Sequence, residues 1–535
     1  MRWGFPELAT VKRTSWPVFV CSLLILFCLI SAKSAVARSA DQRDNLSVPP
    51  TCDLSRSSDQ HGAALFFTAV QHPSAGNFSA LGDFYEQAEK LGCAAFAFDA
   101  ALRLDPTDWA TRYELALTLM QMGKPGPAVE ELRKVIRQKP DAALPHNALG
   151  LALQDQGNLQ GAVDEFQMAV TLDQAFALGY YNLAYALSAQ KRFTAAVYYL
   201  EKAIALQPQE FQFQIGLAIA YGEAEKFNQA IDLLQKLIAS HPDSVEAYLN
   251  LGTVYSKRTR YQDAVEAYRT ALRLDPQNPI AIISLGLALM DDGRPAEALP
   301  FFQKYVRLKP DDDQGFYALG RAFRGVGNYA AALSPLDRAA KLNPQNFDEA
   351  YNLGFVLTKL EKWDMALDAL QRAEQINPNS PNVHYQLAQL LRHLKQPERS
   401  VKEQTLFDTL TKKSQDKVKA ASLQTRGNEL MDAAKPREAA AAYREASELD
   451  PDSASIHYNL SLSLARLGDH DAAQKELERT IQLDPNLPQA YFNIGLIDMS
   501  SGKRHEAETA FKTALGLDPG YSQARDALAE LGKDP

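Results

Sequence analysis

Residues 245–278 read VEAYLNLGTVYSKRTRYQDAVEAYRTALRLDPQN, and this 34-residue pattern recurs along most of the chain. Its closing Leu274-Asp275-Pro276 is the easiest mark to follow. Prolines stand at 106, 140, 208, 242, 276, 310, 344 and 378, each 34 residues on, with Gln174 in the one vacant slot. After a step of 73 residues the series resumes at 451, 485 and 519. A fixed period of this length means stacked supersecondary units, so chain length here does not count compact domains.

Numbering each unit so that the proline is position 32 exposes the packing rule. Position 8 is small in all thirteen units, from Gly82 and Ala116 through Gly252 and Gly286 to Ser461 and Gly495. Position 20 is Ala in twelve, with Ser400 the exception, and position 7 is Leu or Ile except at Arg426. Helices that pack 8–10 Å apart leave no room for a large side chain at their closest crossing. A small residue on a first helix, A, facing one on a second, B, meets that demand. Leu251, Tyr255, Tyr268 and Ala271 at positions 7, 11, 24 and 27 then fill the space around it. Gly near position 15, as at Gly123, Gly157 and Gly293, is a helix C-terminal stop. Asp108 and Asn278-Pro279 are N-cap signals for the next helix A.

This pattern resembles the tetratricopeptide repeat (TPR) family over residues 75–531, some 85% of the chain. The resemblance implies an all-α fold, a right-handed α-solenoid of about 12–13 helix-turn-helix repeats with helix A lining a concave groove. The expected organisation runs from a leader at 1–37 to a polar segment and capping helix at 38–74. A first block of about ten repeats follows at 75–410, its last degenerate because Lys412 replaces the closing proline. A basic linker or hinge at 411–419 with a lengthened preceding helix, a three-repeat block at 420–521, and a capping helix and tail at 522–535 complete the chain.

The leader has Arg2, Lys12 and Arg13, then an apolar run from Pro17 to Ile30, then small residues before a cut after Ala37. That is the layout of a secretory signal peptide. An uncleaved anchor is the rival, since residues 14–32 carry no charge and a span needs about 20 residues. The expected location is periplasmic or extracellular, with membrane association only if the leader stays. In an oxidising compartment Cys52 and Cys93 can pair and tie the leading segment to the first repeat; two unpaired thiols is the alternative.

The chain carries a net charge of −9, falling to −12 without residues 1–37. Nucleic acid is therefore not the expected partner, because phosphate binding needs a basic face. Catalytic signatures are equally scarce. Neither His-Glu-x-x-His, Cys-x-x-Cys nor Gly-x-Ser-x-Gly occurs, and Asp311-Asp312-Asp313 lacks the downstream spacing of a calcium loop. His146, His384 and His457 share position 4 and read as packing residues. No cofactor, metal or enzymatic activity is expected.

What remains is a surface for other proteins. The resemblance implies that positions 2, 5, 6, 9, 12 and 13 of helix A face the groove. There stand Tyr181, Asn182, Asn250, Tyr317, Tyr351, Asn352 and Tyr385, where amides can hold an extended peptide and aromatics supply contact area. A basic group, Arg321, Arg324, Lys359 and Arg392, lies beside Tyr317, Asn352 and Phe355 and suits an acidic peptide segment. A family habit without ligand, or a solvated charged face, is the bland counterpart. The expected function is a non-enzymatic interaction scaffold in the envelope or extracytoplasmic space. A recruiting or regulatory module for an envelope enzyme or a polysaccharide or secretion machine is the alternative.

Overall fold

The structure, a computed structural model, describes residues 48–532 apart from 56, 58, 519 and 520. The leader reading at 1–37 and Pro519 lie outside the described residues. Among those described there are 27 α-helices and one 3-10 turn, Pro50–Cys52, and no strand. The fold is an α-solenoid. None of the described helices is long and apolar enough to cross a membrane.

The repeat frame is realised to the residue. Helix A occupies positions 1–13, as in Val245–Lys257, and helix B positions 17–30, as in Tyr261–Leu274. Asp108 accepts hydrogen bonds from the Ala110 and Thr111 N–H groups, and Asn278 caps Ala281 in the same way ahead of Pro279. These side chains satisfy N–H groups that a helix start leaves without intrahelical partners. Position 15 has positive φ in all thirteen units: Gly in six, and Glu89, Lys191, Glu225, Thr259, Glu361, Lys395 and Ala434 in the other seven. The turn thus demands the left-handed conformation whether or not glycine is there to adopt it cheaply.

The chain divides into two compact units, up to Leu233 and from Leu234. In each, successive helices pack as antiparallel hairpins. Position 20 is fully buried wherever it is Ala, for instance Ala94, Ala264, Ala298 and Ala507. Position 8 faces position 24, and an aromatic ring there excludes any side chain. Where the latter is aromatic (Phe98, Phe166, Tyr268, Phe302, Tyr443, Phe511), position 8 is always Gly, and a Cβ there would meet the ring well inside van der Waals contact. Where it is Leu both outcomes occur: Ala116 and Ala184 are accommodated beside Leu132 and Leu200, whereas Gly320 and Gly354 face Leu336 and Leu370, which a Cβ would meet as closely as it would a ring.

In the first unit, helix Gln60–Gln71 covers the leading repeat with Phe66 and Ala69. Cys52 and Cys93 are disulfide-bonded, their Cα atoms 5.4 Å apart, and the Tyr85 hydroxyl donates to the Cys52 carbonyl. In the second unit, helix Ser522–Leu531 seats Ala524 and Ala527 at the C-terminal end. The basic segment 411–419 is helical rather than a break in the chain. It lies inside one 36-residue helix, Pro397–Asp432, that joins helix B of the tenth unit to helix A of the eleventh. Lys412 stands where most units carry the closing proline, so that barrier to a continuing helix is gone, although Leu159–Leu172 ends ahead of Gln174 without one. None of residues 404–419 is buried.

Candidate functional site

Helices Asp313–Gly325 and Phe347–Lys359 are successive A helices of the second unit. Their helical period puts Tyr317, Arg321 and Arg324 on one face of the first, and Asn352, Phe355 and Lys359 on the matching face of the second. The structure brings these six together. Arg324 donates to the Asn352 side-chain oxygen and lays its guanidinium 4.6 Å from the Phe355 ring centre. Lys359 Nζ lies 5.5 Å from the same ring, and Arg321 5.6 Å from that of Tyr317. Cation–π placement holds a cation in position while leaving its N–H groups available. Arg321 and Lys359 are exposed and make no ion pair among the described residues. Asp291, whose carboxyl burial raises, feels the charge of Arg321 in the opposite sense.

Asn352 has a different task from the one read in the sequence. It is buried, and its amide donates to the Tyr317 hydroxyl at 3.2 Å and to the Asp348 carbonyl at 2.7 Å. With Arg324 on its oxygen, both N–H groups are committed within the protein. Asn493 repeats the pattern, donating to the Tyr458 hydroxyl at 3.1 Å and the Gln489 carbonyl at 2.8 Å. At these two units position 6 therefore clamps one helix A to the one before it. Burial lifts the Tyr317 hydroxyl above its usual range; Asp348 and Glu349 add to this and Arg321 and Arg324 oppose it.

Tyr351 borders this group, since Arg324 opposes the upward push of burial on its hydroxyl; the remaining sequence candidates make their contacts elsewhere. Arg392 donates to Gln404 in the following helix, and exposed Tyr385 packs on Phe407 at 5.2 Å. Tyr351 stacks on Phe347 at 5.8 Å. Asn250 donates to the Glu246 carbonyl of its own helix. Tyr181 and Asn182 belong to the first unit, where Tyr181 stacks on Phe213 and Asn182 donates to Asn147.

The sequence reading passed over Glu349. It is fully buried at position 3, where neighbouring units carry Ala247, Ala281, Gly315 and Val383. Asn346 donates to one of its oxygens, and no N–H reaches the other. Burial, then the adjacent Asp313 carboxylate, pushes Glu349 up to about 8. Burial also works to raise Asp313, but hydrogen bonds from Asn343, Glu349 and Gln314 bring it below the carboxylate norm. A neutral Glu349 donating to Asp313 satisfies both groups. An acidic side chain where the repeat wants a small or apolar one was the available signal.

The position-4 histidines are buried, as packing residues should be, but they are also bonded. His146, His384 and His457 each face a Glu at position 23 of their own unit and the carbonyl of the preceding unit's Pro140, Pro378 or Pro451. Arg112 does the same with Glu131 and Pro106. Around His384 a second carboxylate, Glu374, completes the one three-ligand group of metal-binding type among the described residues.

Two family models described as Tetratricopeptide repeat match the chain. One matches residues 113–177, 148–211, 215–279, 249–313 and 425–488, the other 488–521, together more than half of the chain. A third, described as Anaphase-promoting complex, cyclosome, subunit 3, matches 291–373. No match was found among curated protein sequences. Among solved structures, that of the APC/C hetero-tetramer Cut9-Hcn1 is 14% identical at a TM-score of 0.36, covering 89% of this chain and 99% of that one. A tetratricopeptide repeat protein from Parabacteroides merdae is 15% identical with a TM-score of 0.37, covering 46% and 98%. YrrB, a TPR protein with an unusual peptide-binding site, is 23% identical with a TM-score of 0.27, covering 42% and 97%.

Proposed function

The chain belongs to the tetratricopeptide repeat family, an interaction scaffold, and we propose that it acts without catalysis, holding an acidic segment of a partner protein on the helix-A face of residues 313–359. The observation that carries this reading is the convergence of Arg321, Arg324 and Lys359 on Tyr317 and Phe355 without a carboxylate in ion-pair contact. Elsewhere the chain pairs many of its cations, as Arg112 with Glu131 and Arg294 with Glu297. Three cations held without a direct ion pair in an acidic chain favour a carboxylate-bearing partner, and the flanking rings give it apolar area.

The scaffold works outside the cytoplasm. Two features support that location: the leader pattern of residues 1–37 and the Cys52–Cys93 disulfide, a bond that persists in oxidising compartments. Mass spectrometry of the N-terminus of chain purified from its own host tests it; a first residue at or near Arg38 is expected, and an intact cytoplasmic Met1 would contradict it.

Fluorescence anisotropy with extended acidic, neutral and basic peptides tests the site. The acidic peptides should bind selectively and weaken with salt. The double variant Arg321→Glu/Arg324→Glu should lose at least tenfold in affinity with unchanged helix content. Equal binding of all three peptide classes, or an unaffected variant, would reject the face.

A further inference from the structure

Three histidines share one arrangement, and one of them departs from it. In all three, ring Nδ1 lies 2.6–2.7 Å from a glutamate oxygen and Nε2 faces a proline carbonyl at 2.8–3.2 Å. At His384 alone, the helix before it, Trp363–Ile376, brings in a further carboxylate, Glu374 at position 28. The corresponding residues for His146 and His457 are Ile136 and Ser447. His384 is also the most deeply buried of the three, at 2% exposure, with Glu403 at 8%.

The charges at this point do not balance. Glu403 and Glu374 offer two negative charges against at most one imidazolium. Glu374 is half-buried and has no hydrogen bond or ion pair among the described residues. The three donor groups lie within 4.8 Å of one another. Meanwhile the Pro378 carbonyl, 2.8 Å from Nε2, makes that nitrogen the one that carries the proton. Nδ1 faces the carboxylates, and a bound metal would displace any proton there and take up the lone pair. A backbone carbonyl that sets the tautomer in this way is the usual outer-shell support of a metal-ligating histidine.

We propose that Glu374, His384 and Glu403 form a binding site for a divalent transition metal of the zinc class. One imidazole nitrogen and two carboxylates suit zinc, which accepts three protein ligands with water in a further position. Calcium and magnesium prefer oxygen alone. The ligands come from helix B of one unit and both helices of the next. The ion therefore clasps residues 347–380 to 381–414 and anchors the start of the helix Pro397–Asp432. None of its ligands belongs to the cation-bearing face.

The test is calorimetric titration of the full chain with Zn²⁺ after chelator treatment, with Co²⁺ absorption as a second reading. One equivalent should bind and shift melting upward by mass action. Glu374→Gln and His384→Gln should each weaken binding by about tenfold or more, given that loss of outer-shell partners alone costs 10–100-fold. His457→Gln, in the same setting without the extra carboxylate, should bind as wild type. Three results would overturn the site: no saturable binding, equal loss in His457→Gln, or wild-type affinity in Glu374→Gln. A chain that binds no zinc yet changes its pH dependence in Glu374→Gln would show a shared proton in the metal's place.

Discussion

Gly286 and Phe302 offer the most direct test of how the hairpins are locked. A Cβ on Gly286 would lie 2.5 Å from Phe302 Cε1, and the ring is fully buried with no free direction in which to move. Gly286→Ala therefore sets two effects against each other. Helix propensity favours Ala by about 1 kcal/mol. Forcing an extra methyl into a packed core costs roughly 1–3 kcal/mol. The clash wins, and net destabilisation of about 1 kcal/mol is expected. Phe302→Leu alone leaves a void and costs a similar amount, about 1 kcal/mol. On that background, however, Ala would face a flexible Leu, the pairing already present at Ala184 and Leu200, and a leucine can withdraw from the added methyl where a buried ring cannot. Gly286→Ala should then stabilise by about 1 kcal/mol, giving a coupling energy near 2 kcal/mol. Hydrogen exchange of helices Pro279–Asp291 and Pro295–Leu308 is the suitable assay, because a repeat array opens locally and one global melting point averages over units. The same sign of effect in both backgrounds would refute the reasoning.

Three further outcomes are expected. Because the folded value of Glu349 lies above its ordinary one, the native state holds a proton that the unfolded chain releases, so stability falls as pH rises from about 4.5 to about 8. At 1.36 kcal/mol per unit the upper bound is about 5 kcal/mol; Glu349→Gln, whose amide can donate to Asp313, should flatten that slope in denaturant titrations, and an unchanged slope would contradict it. Thr259→Gly should stabilise by about 1 kcal/mol, since a β-branched residue is held at a φ of 57°, as read by urea unfolding; a loss of stability would show that the turn does not store that cost. Cys93→Ser removes a link between residues 41 apart in sequence, worth about 4 kcal/mol by loop entropy. Residues 48–71 should then become the first site of limited proteolysis, while the later repeats keep their protection.

The repeat frame was legible because two helices crossing closely write a rule into every unit. Position 20 and position 8 admit only small side chains wherever the stack recurs. The pairing of Gly with an aromatic ring at position 24 was equally present in the letters, as Gly82 with Phe98 or Gly495 with Phe511, but it emerges only once the facing residue is known. The left-handed turn was visible at six glycines and hidden at Thr259 or Glu361, where the fold overrides residue preference. The segment 411–419 read as a linker because it is polar and unpatterned; a helix with no buried face leaves no periodicity to find. At the candidate face, sequence supplied the cations and rings. It misassigned Asn352, because a side chain at a groove position reads alike whether it faces a ligand or its neighbouring helix. Glu349 and Glu374 went unnoticed since their partners, Asp313 and His384, come from other units or other helices.

Site-specific photo-crosslinking tests the binding face most directly. A photoreactive residue would replace Phe355 on the helix-A face, or Arg338 on helix Tyr329–Leu342, in the full chain within its own host. Partner adducts should form from position 355 and disappear when Arg321→Glu/Arg324→Glu is added, with none from position 338. Adducts from position 338 alone, or adducts from 355 that survive the charge reversal, would contradict the account.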